Sequence, residues 1–163
     1  MIATGPLVQV AWVVEDLGAT ETLLEGGFGS GPWTRMEGIE FGPDACTFRG
    51  RPADFAADIS LSYVGDLQLE LIRPVRGESI YTEFLGAHGS GLHHVCFETD
   101  DIAESVRAAE KAGLEVVQQG SMAGGEMEFA YVDGASAGVP YIELARIGPG
   151  MRAFFEQVKT PAP

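Results

Sequence analysis

Two stretches of this chain repeat two others, and that repeat limits the fold more than any other feature. Val8-Gln9-Val10-Ala11-Trp12, followed by Glu15-Asp16-Leu17, can be laid on His93-His94-Val95-Cys96-Phe97, followed by Asp100-Asp101-Ile102. Further on, Gln68-Leu69-Glu70-Leu71-Ile72-Arg73 can be laid on Tyr141-Ile142-Glu143-Leu144-Ala145-Arg146, and Gly27 falls near Gly113. Hydrophobic patterning gives both halves the same order: a strand, a helix, then three strands. Two such units bury their apolar faces by pairing. The expectation is an α+β fold in which two βαβββ modules form one curved mixed sheet.

Residue by residue, 7–14 is a β-branched and aromatic strand whose one polar member, Gln9, shares a face with Ala11 and Val13. Glu15-Asp16 caps a short helix over 17 to about 25, stopped by Gly26-Gly27. A loop at 29–32 leads to a strand over 33–41, and the turn-rich 42–55 holds a short strand at 45–49. Gly65-Asp66 suits a tight type II′ turn between strands 57–64 and 67–72, with Pro74 ending the pairing. A short helix spans 79–87. Asp101 with Glu104 is a capping-box pattern that opens a helix over 101–112, closed by Gly113. Strands follow at 114–118, 127–132 and 139–146, then a last helix over 151–159 and a fraying tail at 161–163. The whole of 1–163 reads as one domain, with module one at about 5–75, module two at about 90–147 and a C-terminal helix at about 150–159.

The formal net charge is −14, against ten Lys and Arg. Nucleic acid and anionic membrane surfaces demand a cationic patch, so both are excluded as partners. With no basic, apolar leader and no run long enough to span a bilayer, a soluble cytoplasmic protein is the expectation. Cys46 and Cys96 lack metal-ligand spacing and read as reduced, packed thiols.

The repeat brings Gln9 into correspondence with His94, and Glu70 with Glu143. All four are polar, metal-competent side chains set in apolar strands. Two carboxylates buried near each other without a cation force at least one to keep a proton. A divalent cation is the simplest compensation, and three oxygens with one imidazole suit Zn, Ni, Co, Mn or Fe. His93 would point to the opposite face from His94 and pack against a helix, outside the site.

On these residues the chain resembles the vicinal oxygen chelate superfamily, which includes glyoxalase I, methylmalonyl-CoA epimerase and extradiol dioxygenases. The most specific parts are the Gly91–Ile102 stretch GLHHVCFETDDI and the strands QLELIRP and YIELARI. The resemblance implies a sheet wrapped around a metal, with Gln9, Glu70, His94 and Glu143 as ligands. This set is similar to that of zinc-type glyoxalase I, whereas epimerases more usually carry His at the first position and Gln at the second. It also implies a lyase, isomerase or epimerase working through a metal-stabilised enolate of a small carbonyl or thioester substrate, and a homodimer. Glu143 is the candidate base, with Glu70 or Asp58 returning the proton. The alternatives are a non-catalytic, resistance-type binding protein and a ring-cleaving dioxygenase. No Arg lies near Gln9 on the first strand, and the acidic balance offers no cradle for a coenzyme A tail. Arg35, Arg49, Arg51, Arg73 and Arg76 are the cationic candidates for a substrate carboxylate. Trp33, Phe48, Tyr63, Tyr81 and Tyr131 are the candidate pocket aromatics, and the loops GSGPW and FRGRP the candidate rim.

Overall fold

Ten strands join into one strongly curled sheet in the computed structural model, which describes residues 1–160. The first half supplies β1 (Leu7–Val13), α1 (Leu17–Phe28), β2 (Thr34–Phe41), β3 (Cys46–Phe48), β4 (Arg51–Pro52), β5 (Phe55–Val64) and β6 (Leu67–Arg76). After α2 (Ile80–His88) come β7 (Gly91–Glu98), α3 (Ile102–Lys111), β8 (Val116–Met122), β9 (Met127–Asp133), β10 (Tyr141–Ile147) and α4 (Pro149–Lys159). The order across the sheet is β2-β5-β6-β1-β7-β10-β9-β8-β3-β4.

The repeat is visible as symmetry about the β1–β7 pair. β1 runs parallel to β6 as β7 runs parallel to β10, and each parallel partner continues into antiparallel neighbours. β1 and β7 themselves pair antiparallel and join the halves. The small β3–β4 hairpin breaks the symmetry. It leaves the first half and extends the second by pairing with β8.

Alternation along the strands sorts the core into an inner and an outer part. Phe41, Phe55, Ile59, Leu61 and Phe129 fill the concave side, together with Ile80 and Tyr81 of α2. On the convex side Leu71 and Val14 pack with Leu17 of α1, and Leu144 and Val132 pack with Ala109 of α3. Asp16 and Asp101 cap their helices by accepting from the Ala19 and Glu104 amides.

Several boundaries differ from those expected. α1 runs through Gly26 and Gly27 and stops only where Gly29 takes the left-handed conformation, φ 70°. Pro74 does not end β6: it pairs opposite Ala57 beside a bulge at Ala56/Ala57, where a strand tolerates a missing amide donor. β8 starts later than 114 and reaches Met122, drawn on by β3. Gly65 adopts positive φ while Asp66 does not, as a type II′ turn requires. The tail at 161–163 lies outside the described residues. No helix among the described residues is long and apolar enough to cross a membrane.

Candidate functional site

Four adjacent strands bring polar side chains together on the concave face: Gln9 from β1, Glu70 from β6, His94 from β7 and Glu143 from β10. All four are buried. They meet at one atom, His94 Nε2, which lies 3.1 Å from a Glu143 carboxylate oxygen, 3.2 Å from Gln9 Oε1 and 3.5 Å from a Glu70 carboxylate oxygen.

A bulge sets this convergence in each half. Ala11 pairs with His94 but Trp12 with Leu92, so His93 is an extra residue in β7. In the same pair Leu7 lies opposite Phe97 and Gln9 opposite Cys96, so Val8 is the extra residue in β1. Val8 and His93 occupy the same place in the repeat, immediately before Gln9 and His94. A bulge bends its strand and re-aims the side chain beside it.

The bulge also corrects the expectation for His93. Strict alternation would send it away from His94, yet the two Nδ1 atoms are 2.9 Å apart. His93 does pack against α2, on Phe84 and Tyr81, and also on Tyr141, but it touches the site directly. Burial and the charge of His94 lower its pKa to about 2, so it stays neutral. One of the two facing nitrogens donates and the other accepts. With His94 donating from Nδ1, its Nε2 is left for the carboxylate side.

Gln68 was not anticipated. It shares the concave face with Glu70, two residues on, and its Oε1 accepts from Gln9 Nε2 at 2.6 Å. Its own Nε2 donates to the Tyr63 hydroxyl at 2.8 Å, so Gln9 is held with its oxygen towards His94.

The electrostatics follow from burial. Burial alone would lower the His94 pKa, but hydrogen bonds to Glu143 and Glu70, and their charges, outweigh it and hold the imidazole at about 9. Burial, with the charge of Glu143, raises Glu70 above the usual carboxylate range despite His94. The Tyr81 and Tyr131 hydroxyls share a 2.7 Å hydrogen bond, and burial together with the charges of Glu143 and Glu70 keeps both firmly neutral. Cys96 is pushed up by burial and by Glu143 in the same way.

Other candidates fall elsewhere. Asp58 lies on β5 between Ala57 and Ile59 and accepts from the Gly38 amide at 2.7 Å and from Arg73. Ile59 and Leu61 line the cavity, so alternation sets Asp58 on the other face, which removes it as a base. Burial would raise its carboxyl, but Arg73 and Gly38 bring it below the usual range. Arg35 pairs with Glu21, Arg49 with Glu83 and Arg76 with Asp54, all at the surface. Of the aromatics, Tyr81 and Tyr131 line the cavity, Tyr63 supports Gln68, and Trp33 packs with the convex-side cluster. The GSGPW segment therefore forms no rim, and FRGRP is the β3–β4 hairpin beside β8.

These are donor types that divalent cations take, although no group of three or more His, Cys, Asp or Glu side chains among the described residues is arranged to hold a metal ion. One imidazole nitrogen, two carboxylates and one amide oxygen converge from a continuous sheet, with no Lys or Arg among the residues lining the cavity to balance the two acids. Without a divalent cation, the His94 imidazolium offsets one of them.

A curled sheet built from two mirrored βαβββ units, with polar residues at its seam, defines the class. The family described as the Glyoxalase/Bleomycin resistance protein/Dioxygenase superfamily matches residues 8–131, and the chain belongs to it. Among solved structures, it is similar to methylmalonyl-CoA epimerase from Mycobacterium tuberculosis, with TM-score 0.63 and 20% identity over 93% of each chain. A hypothetical protein from Bacillus halodurans C-125 gives TM-score 0.63 and 18% identity, covering 88% of this chain and 94% of that one. A Streptomyces coelicolor methylmalonyl-CoA epimerase variant in complex with 2-nitronate-propionyl-CoA gives TM-score 0.62 and 17% identity, covering 98% and 100%. No curated protein sequence matches the chain.

Proposed function

We propose that the protein is a metal-dependent enzyme that moves a proton on the carbon next to a carbonyl, as a lyase, isomerase or epimerase. The observation that supports this best is the meeting of Glu143, Glu70 and Gln9 around His94 Nε2 at the floor of a cavity. Gln9, Glu70, His94 and Glu143 would hold a divalent ion such as Zn, Ni, Co, Mn or Fe. When bound, such an ion supplies Lewis acidity that polarises a carbonyl and acidifies the adjacent C–H.

Glu143 is the base in this reading, because its carboxylate lines the cavity and stands within hydrogen-bond distance of His94. Glu70 lines the same cavity, from β6, which is separated from β10 by the two strands β1 and β7. From that side of the cavity Glu70 is the group placed to return the proton to the substrate. Gln68 fixes the orientation of Gln9, and the Tyr81–Tyr131 pair closes the floor without adding charge. A homodimer belongs to the same proposal, on the likeness to the family.

The test is hydrogen–deuterium exchange. Metal-loaded protein in D2O, given a panel of 2-oxoaldehyde thiol adducts, acyl-CoA esters, simple ketones and catechols, should exchange the C–H beside a carbonyl, read by NMR. Glu143→Gln should abolish that exchange. Ligand binding with no exchange anywhere in the panel would favour a non-catalytic binder, and ring opening of a catechol would favour a dioxygenase. Full exchange by metal-loaded Glu143→Gln would remove Glu143 as the base.

A further inference from the structure

Every cation in the chain has a place, and none is in the cavity. Of the ten Lys and Arg, eight are in ion pairs: Arg35, Arg49, Arg73, Arg76, Arg107, Arg146, Arg152 and Lys159. The other two, Arg51 and Lys111, are exposed on β4 and at the end of α3. The charged side chains that do line the cavity are Glu70 and Glu143. A divalent ion on these two carboxylates gives a centre with no net positive charge, so a bound anion would meet that ion alone, with no Lys or Arg beside it; without the ion it would meet no fixed cation at all, and the desolvation of an unpaired buried charge would oppose its binding.

The walls are hydrocarbon. Above the polar floor stand Phe41, Ile59, Leu61 and Phe129, with Phe41 and Phe129 edge to face at 5.9 Å between centroids. Four methionines, Met36, Met122, Met127 and Met151, fill the gaps between them with flexible side chains that reshape around an apolar guest. The roof is α4, which presents Met151, Phe154 and Phe155 to the cavity. The helix is fastened by the ion pairs of Arg152 with Glu98 and Lys159 with Asp66, and by the Gly150 amide donating to Glu126 at 2.7 Å. Beneath this roof the cavity measures about 50 Å³, less than an aryl ketone fills, so such a guest enters as the flexible methionines move aside.

We infer that the site takes an uncharged, mainly hydrocarbon carbonyl compound, and discriminates against substrates that would carry a carboxylate or phosphate into the cavity. The inference rests on the proposed reading of this cavity as the substrate site, and it specifies that site's substrate class. The polar floor receives the carbonyl oxygen while the methionine and phenylalanine walls receive the remainder.

A matched pair of ligands tests it. 1-Phenyl-1,2-propanedione and phenylglyoxylate share the aryl ketone and differ in an acetyl group against a carboxylate. Calorimetric titration of each into the zinc-loaded full-length protein should show the dione binding at least ten-fold more tightly. Phe155→Arg, on the half-buried roof, should narrow the dione-to-phenylglyoxylate ratio by placing a cation at the cavity. Equal or tighter binding of phenylglyoxylate overturns the inference, and so does binding of neither. The same titrations in metal-free protein should keep the order, because the wall and the two carboxylates are unchanged. Failure to load zinc would sink the proposed metal-dependent function while this ratio still decides the substrate class.

Discussion

At His94 a proton and the proposed metal ion would compete for one nitrogen. Nε2 faces two carboxylates and an amide oxygen, and its pKa of about 9 lies above the ordinary 6.5. A group raised in this way stabilises the metal-free fold fully below the unfolded pKa, and that contribution is lost as pH rises through about 9. His93 has the opposite sign. Its pKa of about 2 means that the unfolded chain takes up a proton below about 6.5 that the folded chain refuses, so stability falls on acidification. Metal-free protein should therefore be most stable near pH 6.5 and lose about 5 °C or more of Tm by pH 9.5. With a divalent ion in place of the proton the alkaline loss should disappear, and metal affinity should rise with pH. Thermal melts across that range, with and without metal, check both. An alkaline fall equal in both forms would show that His94 is not the shared group. Of these residues Gln9, Glu70, His94 and Glu143 were legible from the repeat alone. His93 was not, because alternation holds only where a strand is regular, and the bulge that turns it towards His94 leaves no mark in composition.

Among the elements, sequence reading succeeded where a local device carries the information. The Asp16 and Asp101 caps and the Gly65-Asp66 turn are local, and the structure places them as expected. It failed where distant partners decide the outcome. β3 and β8 lengthen each other, and β6 runs past Pro74 because β5 is there to pair with it. Gly26-Gly27 marks the boundary between these cases. Both glycines have open space where a Cβ would stand, and neither has positive φ. Gly26→Ala should therefore stabilise α1 by about 0.5–1 kcal/mol, through a better helix propensity. Gly77, after β6, is different. Its φ is +80° and a Cβ would stand 2.2 Å from the Asp54 carbonyl oxygen, so Gly77→Ala should destabilise by on the order of 2 kcal/mol or more. Denaturant midpoints of the two variants, moving in opposite directions, are the check.

Across the whole molecule, the repeat puts polar residues on four adjacent strands, and the curl of the sheet brings them together. The expected α+β architecture of paired modules around a concave face is what the chain forms, with the β3–β4 hairpin and the roof helix α4 as departures from symmetry. α4 was legible as a helix. Its position over the cavity was not, because nothing local to residues 149–159 specifies the surface that receives it. The strongly acidic balance belongs to this scale too: with eight of ten cations already in ion pairs, the surface keeps a large net negative charge. The meeting point of Gln9, Glu70, His94 and Glu143 is the proposed metal site. Elemental analysis of protein purified without chelator, then dialysed against a divalent metal, tests it most directly. One metal ion per chain is expected in the parent protein, and a loss of at least ten-fold in affinity in folded His94→Ala and Glu70→Ala variants. Parent protein that takes up no divalent metal, or a His94→Ala variant that binds it undiminished, would contradict the account.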